Sequence, residues 1–408
     1  MRLVLYIWKM DSLRRITKGL FLAFLLFGFN LIGQEAKKLR INGYLKSLGS
    51  YSAANPSLFG PQFAAADLQT ADFLLHNRLN FKYRSNNSWS FALSTRNRVF
   101  AGDQLKNPAF FKSLEADAGL VDLNFFYGRD PNLALHTSID RFYGQWESEK
   151  WIVRLGRQRV NWGVNTVWNP NDIFNQYNYF DFDYEERRGS DALRIQYFPN
   201  FNSSWEFVFA PEKEIKNSTS AFLYKFNRWQ YDWQFLAGVY QQDLVVGGAL
   251  AGGLGKAGLK AEYNYYAPFD DDVPAFLLST SLDYIFKNGL YVQGSYLFNQ
   301  EGRNKANFSD FSDLASGSVM SPRNLFLFKH TVFLNASYTI NPLFTVSLGT
   351  MFSPDFANLI IYPSLTYSLG KNLDLLLALQ VFSTENPLAN DQLQWLSAAS
   401  FLRLKWSF

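Results

Sequence analysis

The last seven residues, Leu402 to Phe408, alternate between apolar and polar side chains. Successive side chains of a β-strand point to opposite faces, so one face of this segment is wholly apolar and the other carries Arg403, Lys405 and Ser407. Such a strand fits a boundary with lipid on one side and water on the other, as in a transmembrane β-barrel. A soluble edge strand can show the same alternation, and the rest of the chain distinguishes the two.

The N-terminal segment has the three zones of a secretory signal peptide. Arg14, Arg15 and Lys18 precede an apolar run from Gly19 to Ile32, and small or polar residues follow. The run has 14 residues, which is short of the ~20 that a spanning helix needs. We therefore predict export, with a signal peptide at 1–33 and an outer-membrane β-barrel at 34–408.

The basic charge of the chain belongs to that targeting segment. The whole chain has a formal net charge of +4. Removing residues 1–33 takes away five of the 39 basic residues and one of the 35 acidic residues, which leaves 34 of each. A neutral mature chain gives no argument for a nucleic-acid partner, and we expect none.

Soft metal ligands are scarce. The chain has no cysteine and three histidines, and the histidines lack the spacing of a zinc motif. We therefore expect neither a metal site nor a cofactor, and no disulfide or lipid anchor.

After Gln34 the chain is a succession of segments about ten residues long, rich in aromatic and aliphatic residues and separated by Asn, Gly, Pro and Ser. This pattern predicts an all-β fold, a transmembrane antiparallel β-barrel of eighteen strands. Sixteen strands is the alternative, because residues 102–147 are the least regular part. The predicted strands are 38–50, 70–84, 88–101, 133–147, 150–159, 190–198, 203–210, 219–227, 229–242, 244–254, 256–267, 275–287, 289–300, 325–340, 342–353, 357–369, 371–384 and 396–408.

The lengths of the connections support the even strand count. Connections after even-numbered strands are all short, for example Asn227 to Trp229 and Gly370 to Asn372. Connections after odd-numbered strands include every long one: 51–69, 102–132, 160–189 and 301–324. Outer-membrane barrels alternate short periplasmic turns with longer external loops. We therefore expect both termini in the periplasm and the last strand paired with the first.

Charged residues set which face of each strand meets the lumen, because Lys or Arg facing lipid near the midplane costs about 2 to 4 kcal/mol. A group of basic side chains on the last strand and on the first three is therefore predicted to point into the lumen. We call this group the basic wall: Arg40, His76, Arg78, Lys82, Arg96, Arg98, Arg403 and Lys405. The alternative is that these are ordinary polar lumen residues without a role in selectivity.

The opposite strands are different. Their inner faces carry mostly Ser, Thr, Asn and Gln, and the tenth predicted strand turns the small residues Gly247, Ala249, Ala251 and Gly253 inward. Small residues leave room for something bulky to pack against that part of the barrel.

Residues 154–191 contain the one recognisable signature. It reads Gly-Arg-Gln at 156–158, Trp-Gly at 162–163, Asn-Pro-x-Asp at 169–172 and Arg-x-Gly at 187–189. This order resembles a family of porin-like outer-membrane barrels that is loosely related to the alginate-export type. The motif covers this segment only, and the rest of the chain matches in architecture alone. The resemblance implies a barrel class and does not imply a particular cargo.

The segment 160–189 is too aromatic for a solvated loop tip. We expect it to fold back into the lumen against the small residues and to present acids to the basic wall. An external loop packed on its neighbours or on lipopolysaccharide is the alternative. The candidate constriction residues are Trp162, Trp168, Asp172, Asp181, Asp183, Glu185 and Glu186.

These features favour a channel for passive diffusion or export of small polar solutes, with a preference for anions. A plugged barrel that binds surface polysaccharide, or that is a subunit of an envelope assembly, is the alternative. An enzyme is disfavoured, because the strand phase turns His330 outward and Ser337 inward, where they cannot meet. The expected partners are outer-membrane lipid, lipopolysaccharide and the barrel insertion machinery, whose C-terminal signal the tail ending in Phe408 resembles.

Overall fold

The computed structural model describes residues 38–58, 68–115, 119–175, 189–304, 320–355, 357–386 and 392–408. The chain divides into two compact units, Met1–Arg40 and Ile41–Phe408. Only residues 38–40 of the first unit are described, and they are exposed. The predicted signal peptide therefore lies outside the described residues.

Nineteen strands form one antiparallel sheet. Each strand alternates between lumen-facing and outward-facing side chains, which is why the period of two in the sequence predicts them well. Their bounds are β1 Leu39–Ala54, β2 Gln69–Arg84, β3 Trp89–Gly102, β4 Asn124–Asp130, β5 Leu133–Glu147, β6 Trp151–Gln158, β7 Ser190–Asn200, β8 Ser203–Ala210, β9 Thr219–Arg228, β10 Tyr231–Tyr240, β11 Asp243–Leu254, β12 Ala257–Pro268, β13 Ala275–Ile285, β14 Tyr291–Asn299, β15 His330–Asn341, β16 Phe344–Phe352, β17 Asn358–Gly370, β18 Leu373–Asn386 and β19 Gln392–Ser407.

The sheet closes on itself. β19 pairs with β1 from Tyr44 opposite Ser407 to Ala54 opposite Ser397, and the backbone of Phe408 exchanges two hydrogen bonds with Gly43. Eighteen strands form the closed barrel, which confirms the predicted fold and strand count. Closure removes the exposed strand edges that a bilayer does not tolerate.

The additional strand, β4, was not predicted. It pairs only with β5, opposite Leu133–Ser138, whereas β6 pairs with the other half of β5 from Phe142 to Glu147. β3 runs along the opposite edge of β5. β4 therefore extends the barrel wall beyond the end of β6, within the long connection that also holds helix α1, Pro108–Glu115.

The connections alternate in length as expected. One end of the barrel has turns of two to five residues, such as 229–230, where Trp229 and Gln230 both have positive φ, as a two-residue hairpin turn requires. The other end has every long connection: 55–68, 103–132, 159–189 and 300–329. Among the described residues, no helix is long and apolar enough to cross a membrane.

The outward faces of the strands are apolar and exposed. Leu155, Phe222, Phe235 and Leu282 lie on this outer surface. In a regular strand, the residues next to such an outward-facing residue point to the lumen. Burying such a surface in lipid is favourable, whereas leaving it in water is not. Polar and charged side chains occupy the inner surface instead, and most of them are buried.

Candidate functional site

The strands bring most of the predicted basic wall together. His76 lies opposite Arg98, and Arg78 lies opposite Arg96, across the β2–β3 pair. All four side chains are buried on the inner face. Arg403 and Lys405 are half-buried on the inner face of β19, and Lys405 lies directly opposite the fully buried Lys46 of β1.

The two remaining members of the wall lie near strand ends. Arg40 is exposed at the start of β1, and Lys82 is exposed near the end of β2. Exposed charges are strongly screened by water and salt. These two residues therefore contribute less to the field in the lumen than the buried members do.

A carboxylate that sequence reasoning missed lies within this wall. Asp140 is buried, and its Oδ2 accepts hydrogen bonds from Arg78 Nη1 at 2.5 Å and from Arg96 Nη2 at 2.7 Å. One carboxylate thus bridges two guanidinium groups. Buried charges are tolerated when they are paired and hydrogen-bonded in this way.

A β-bulge explains why the local pattern is unusual. The register between β3 and β5 shifts at Ser94 and Thr95, which lie opposite Arg141 and Ile139, and Asp140 is the extra residue. Asp140 and Arg141 are consequently both buried on the lumen side, although adjacent residues of a regular strand point to opposite faces. Two adjacent charged residues within a predicted strand were the available signal for this bulge.

Basic residues continue along the inner surface beyond the predicted wall. We call them the second basic group: Arg141, Arg154, Arg157, Arg194 and Lys225. Arg157 pairs with Asp191 at 2.8 Å, and Arg194 pairs with Glu206 at 2.7 Å.

Aromatic and imidazole rings lie between these cations. The ammonium of Lys405 lies 4.7 Å from the ring centre of Tyr44, whose hydroxyl is 3.5 Å from His76 Nε2. Arg98 Nη2 lies 3.0 Å from His136 Nδ1. A guanidinium only donates hydrogen bonds, so this imidazole nitrogen accepts.

The opposite side of the lumen is covered by residues 159–175, which we call the inward segment. Trp162 is 1% exposed, and its Nε1 donates a hydrogen bond to Glu206 Oε1 at 2.5 Å. Three backbone N–H groups of the segment, those of Val164, Asn165 and Asn171, donate to the carboxylate of Glu262 on β12. The inward segment is thus hydrogen-bonded to inner-face carboxylates on two strands.

Apolar contacts hold the same segment in place. Val160, Trp162 and Ile173 pack with apolar side chains on the inner faces of β8 to β13. Trp168 packs edge-on against Phe326 and Phe333, with ring centres 5.9 and 6.5 Å apart. Small residues on the inner face leave room for the inward segment. Asn264 Nδ2 donates a hydrogen bond to the carbonyl of Pro170, and a Cβ added to Gly247 would lie 1.6 Å from Oδ1 of the same asparagine.

The signature residues shape the turns of the inward segment. Asp172 Oδ1 accepts from the backbone N–H of Trp162, and Asn175 Oδ1 accepts from that of Val160. A Cβ on Gly163 would lie 2.3 Å from Oδ1 of Asn169, so the Asn-Pro turn requires glycine there. The motif therefore has a structural role in this chain.

A second inward segment, residues 320–329, covers the adjoining part of the lumen. Phe326, Leu327 and Phe328 are buried against the inner faces of β14 to β17, and Asn299 Nδ2 donates to the carbonyl of Phe326. Residues 325–329 were predicted as the beginning of a strand. That prediction was wrong, because a run of buried apolar residues fits an inward-folded segment as well as a strand.

Arg323 holds the second inward segment at the end of the barrel that has the long connections. Its guanidinium contacts Glu301 at 2.9 Å and Asp243 at 3.1 Å, and it donates to the carbonyl of Val273. Burial raises the pKa of Glu301, and the nearby Arg323 offsets part of that rise. One side chain therefore links the second inward segment, the connection that holds Val273 and the first residue of β11.

Four of the predicted constriction residues, Asp181, Asp183, Glu185 and Glu186, lie outside the described residues. Trp162, Trp168 and Asp172 are buried in the inward segment. Within the described part of the chain, no group of three or more His, Asp or Glu residues is arranged to hold a metal ion.

No protein-family model and no curated protein matches this chain. Solved structures do match. OccK9 (OpdG) of Pseudomonas aeruginosa is 10% identical, with a TM-score of 0.60 over 91% of this chain and 98% of that one. OccAB3 of Acinetobacter baumannii is 11% identical, with a TM-score of 0.55 over 90% and 99%. The outer membrane protein opdK of Pseudomonas aeruginosa is 7% identical, with a TM-score of 0.56 over 90% and 98%.

At these identities the likeness concerns the fold. The chain has the closed, eighteen-stranded antiparallel barrel fold of outer-membrane porins. A closed barrel of this fold with an apolar outer surface is suited to span an outer membrane.

Proposed function

We propose that this protein is a porin-like channel that passes small polar solutes, with a preference for anions. The observation that carries the proposal is the asymmetric lumen: cations line one side, and inward-folded segments narrow the other. A barrel narrowed in this way brings a passing solute close to fixed charges, which is how channels select by charge. Such a channel acts without covalent chemistry.

The electrostatics favour anions because basic side chains outnumber acidic ones on the described inner surface of β19, β1, β2, β3 and β5. Asp140 bridges only Arg78 and Arg96, and Asp191 and Glu206 each bind one further arginine. Lys46, Arg98, Arg141, Arg403 and Lys405 add positive charge to the same side. Charges enclosed by protein keep more of their field than charges on an open surface.

A plugged barrel is the second candidate function, and one observation favours it. Lys46 and His76 are both 0% exposed, and Arg78 and Arg96 are each 2% exposed. A wide aqueous pore would leave such side chains partly accessible. A plugged barrel of this kind would bind surface polysaccharide or belong to an envelope assembly.

Several finer expectations belong to the channel proposal. The signature at 154–191 resembles that of porin-like barrels loosely related to the alginate-export type. Export, as well as passive diffusion, of a small anionic solute is part of the proposal. Residues 1–33 would act as the signal peptide, and the C-terminal strand would be read by the insertion machinery. Lipopolysaccharide would contact the external part of the outer surface.

Reconstitution in a planar bilayer tests the proposal. We expect stepwise conductance and, in a salt gradient, a reversal potential displaced toward that of the anion. The displacement should shrink as salt rises, because the Debye length falls from about 10 Å at 0.1 M to about 3 Å at 1 M. Heat-denatured protein in the same detergent is the control. Absence of current from folded barrels would contradict the channel and support the plugged barrel.

A further inference from the structure

Among the described groups of the barrel wall, the carboxylate of Glu262 accepts the most hydrogen bonds from the inward segment. Glu262 lies on the inner face of β12, opposite Ala249 of β11 and Ser279 of β13. It is 0% exposed. Its Oε1 accepts from the backbone N–H groups of Val164 and Asn165, both at 2.5 Å, and its Oε2 accepts from that of Asn171 at 3.1 Å.

Neighbouring side chains support the same contact. The amide of Asn165 donates to Ser279 Oγ at 3.0 Å and accepts from Ser281 Oγ at 2.6 Å. Gln293 donates to the hydroxyl of Thr166. These groups are neutral, whereas hydrogen bonds to an ionised carboxylate are shorter and roughly twice as strong. Glu262 is therefore the strongest polar attachment of this part of the segment.

Glu206 binds the segment differently. Its carboxylate accepts from Trp162 and also from Arg194 and Gln196 of β7. Replacing Glu206 would disturb the second basic group as well as the inward segment. Glu262 instead accepts three hydrogen bonds from the backbone of the segment, so its replacement acts directly on the position of the segment.

We infer that Glu262 is the positioning residue that holds the inward segment in the lumen and so sets the cross-section of the channel. This inference rests on the proposed channel function. It predicts that Glu262 controls the size of the current, whereas the basic wall controls its ion selectivity. A residue needed only for barrel stability would not separate these two properties.

Two substitutions grade the effect. Glu262→Ala removes all three hydrogen bonds. Glu262→Gln has nearly the same shape as Glu and keeps one oxygen that can accept, but it loses the negative charge and the second acceptor. We expect single-channel conductance to rise in the order wild type, Gln variant, Ala variant. Each variant removes one negative charge, so the ratio of anion to cation permeability should shift no more than in Asp283→Asn, which removes one as well. Asp283→Asn is the matched control, because Asp283 lies on the inner face of β13, opposite Gln293, and has no described contact with the segment.

A second measurement does not depend on current. The chain has no cysteine, so Val167→Cys introduces a single thiol at a buried position of the segment, and Asn161→Cys introduces one at an exposed position. We expect a thiol reagent to label Cys at 167 slowly in the wild-type background and at least about tenfold faster in the Glu262→Ala background, because charge-assisted hydrogen bonds are lost. Labelling at 161 should stay fast in both backgrounds.

The outcomes separate the two proposals. If the folded wild-type barrel carries no current, the proposed channel function is wrong. The rate of thiol labelling at position 167 then still tests whether Glu262 holds the inward segment. If labelling and conductance are unchanged in both Glu262 variants, the positioning role is overturned. Mobility of the folded barrel on semi-native gels identifies a variant that does not fold, and the nearly isosteric Gln variant then carries the test.

Discussion

The two sides of the lumen satisfy their buried polar groups in different ways. On the side of β2, β3 and β5, side chains pair with side chains on neighbouring strands, as Asp140 does with Arg78 and Arg96. On the side of β12 to β14, polar side chains bind the backbone of a segment that is far away in sequence: Asn171 and Glu262 are 91 residues apart. The first side pairs buried charges between neighbouring strands, and the second binds the backbone of the inward segment.

The largest expected effect concerns the segment-covered side. Trp162→Ala should lower the free energy of unfolding of this region by about 3 to 5 kcal/mol, because a fully buried indole leaves a cavity. Trp162→Phe should cost less, about 1.5 to 3 kcal/mol, mainly through the lost hydrogen bond to the charged Glu206. Denaturant unfolding followed by circular dichroism measures both.

Trp229→Ala is the control for this series, because Trp229 is 70% exposed in a turn. Its effect should stay within about 0.5 kcal/mol. If Trp162→Ala and Trp229→Ala had equal effects, the inward segment would contribute little to stability, and the contrast between the two sides would fail.

A pair of glycine substitutions sharpens the comparison. Gly247→Ala places a methyl group 1.6 Å from Oδ1 of Asn264 and 2.7 Å from the carbonyl oxygen of Tyr263. Forcing these groups apart should cost about 1 to 3 kcal/mol and weaken the contact between Asn264 and Pro170. Gly49→Ala meets nothing within 4 Å, so thermal unfolding of that variant should match the wild type. Equal midpoints for the two variants would show that the close approach at Gly247 is relaxed at no cost.

The smallest expected effect, in free energy, concerns the charged side. Replacing Arg78, Arg96 and Arg98 together by Gln should move the reversal potential toward that of the cation at low salt. Asp140→Asn should move it the other way, because the neutralising carboxylate is lost. A change of about one kT per unit charge in the potential of the lumen changes the partitioning of each ion roughly threefold, in opposite directions for anion and cation, and therefore the permeability ratio roughly sevenfold.

Lys82→Gln is the control for this prediction, since Lys82 is exposed near a strand end and should matter less. The measurement is the reversal potential in a salt gradient at low and at high ionic strength. A cation-selective wild type, or an unchanged triple variant at low salt, would show that the basic wall has only a structural role.

The barrel could be predicted because its signal is local. The alternation in β2 and β3 assigned His76, Arg78, Arg96 and Arg98 to the lumen, and the structure buries all four there. β4 escaped prediction because it is short and pairs with only half of β5. The bulge at Asp140 escaped because one extra residue reverses the phase of everything after it.

The candidate site could be predicted only in outline. The aromatic content of residues 160–189 indicated that something must cover them, and small inner residues such as Gly247 indicated where. Which groups would hold the segment was not predictable, because Glu262 lies in a strand whose alternation reads like that of its neighbours. Its role depends on the close approach of Val164, Asn165 and Asn171.

The sequence by itself determined the number of barrel strands, the face that each presents to lipid and the alternation of short and long connections, because these follow from a period of two residues and from turn chemistry. Only the tertiary structure decided that Asp140 neutralises two arginines of the wall and that Glu262 binds the backbone of the inward segment. Such pairings depend on strand register and on contacts between residues about a hundred positions apart, which no local pattern encodes.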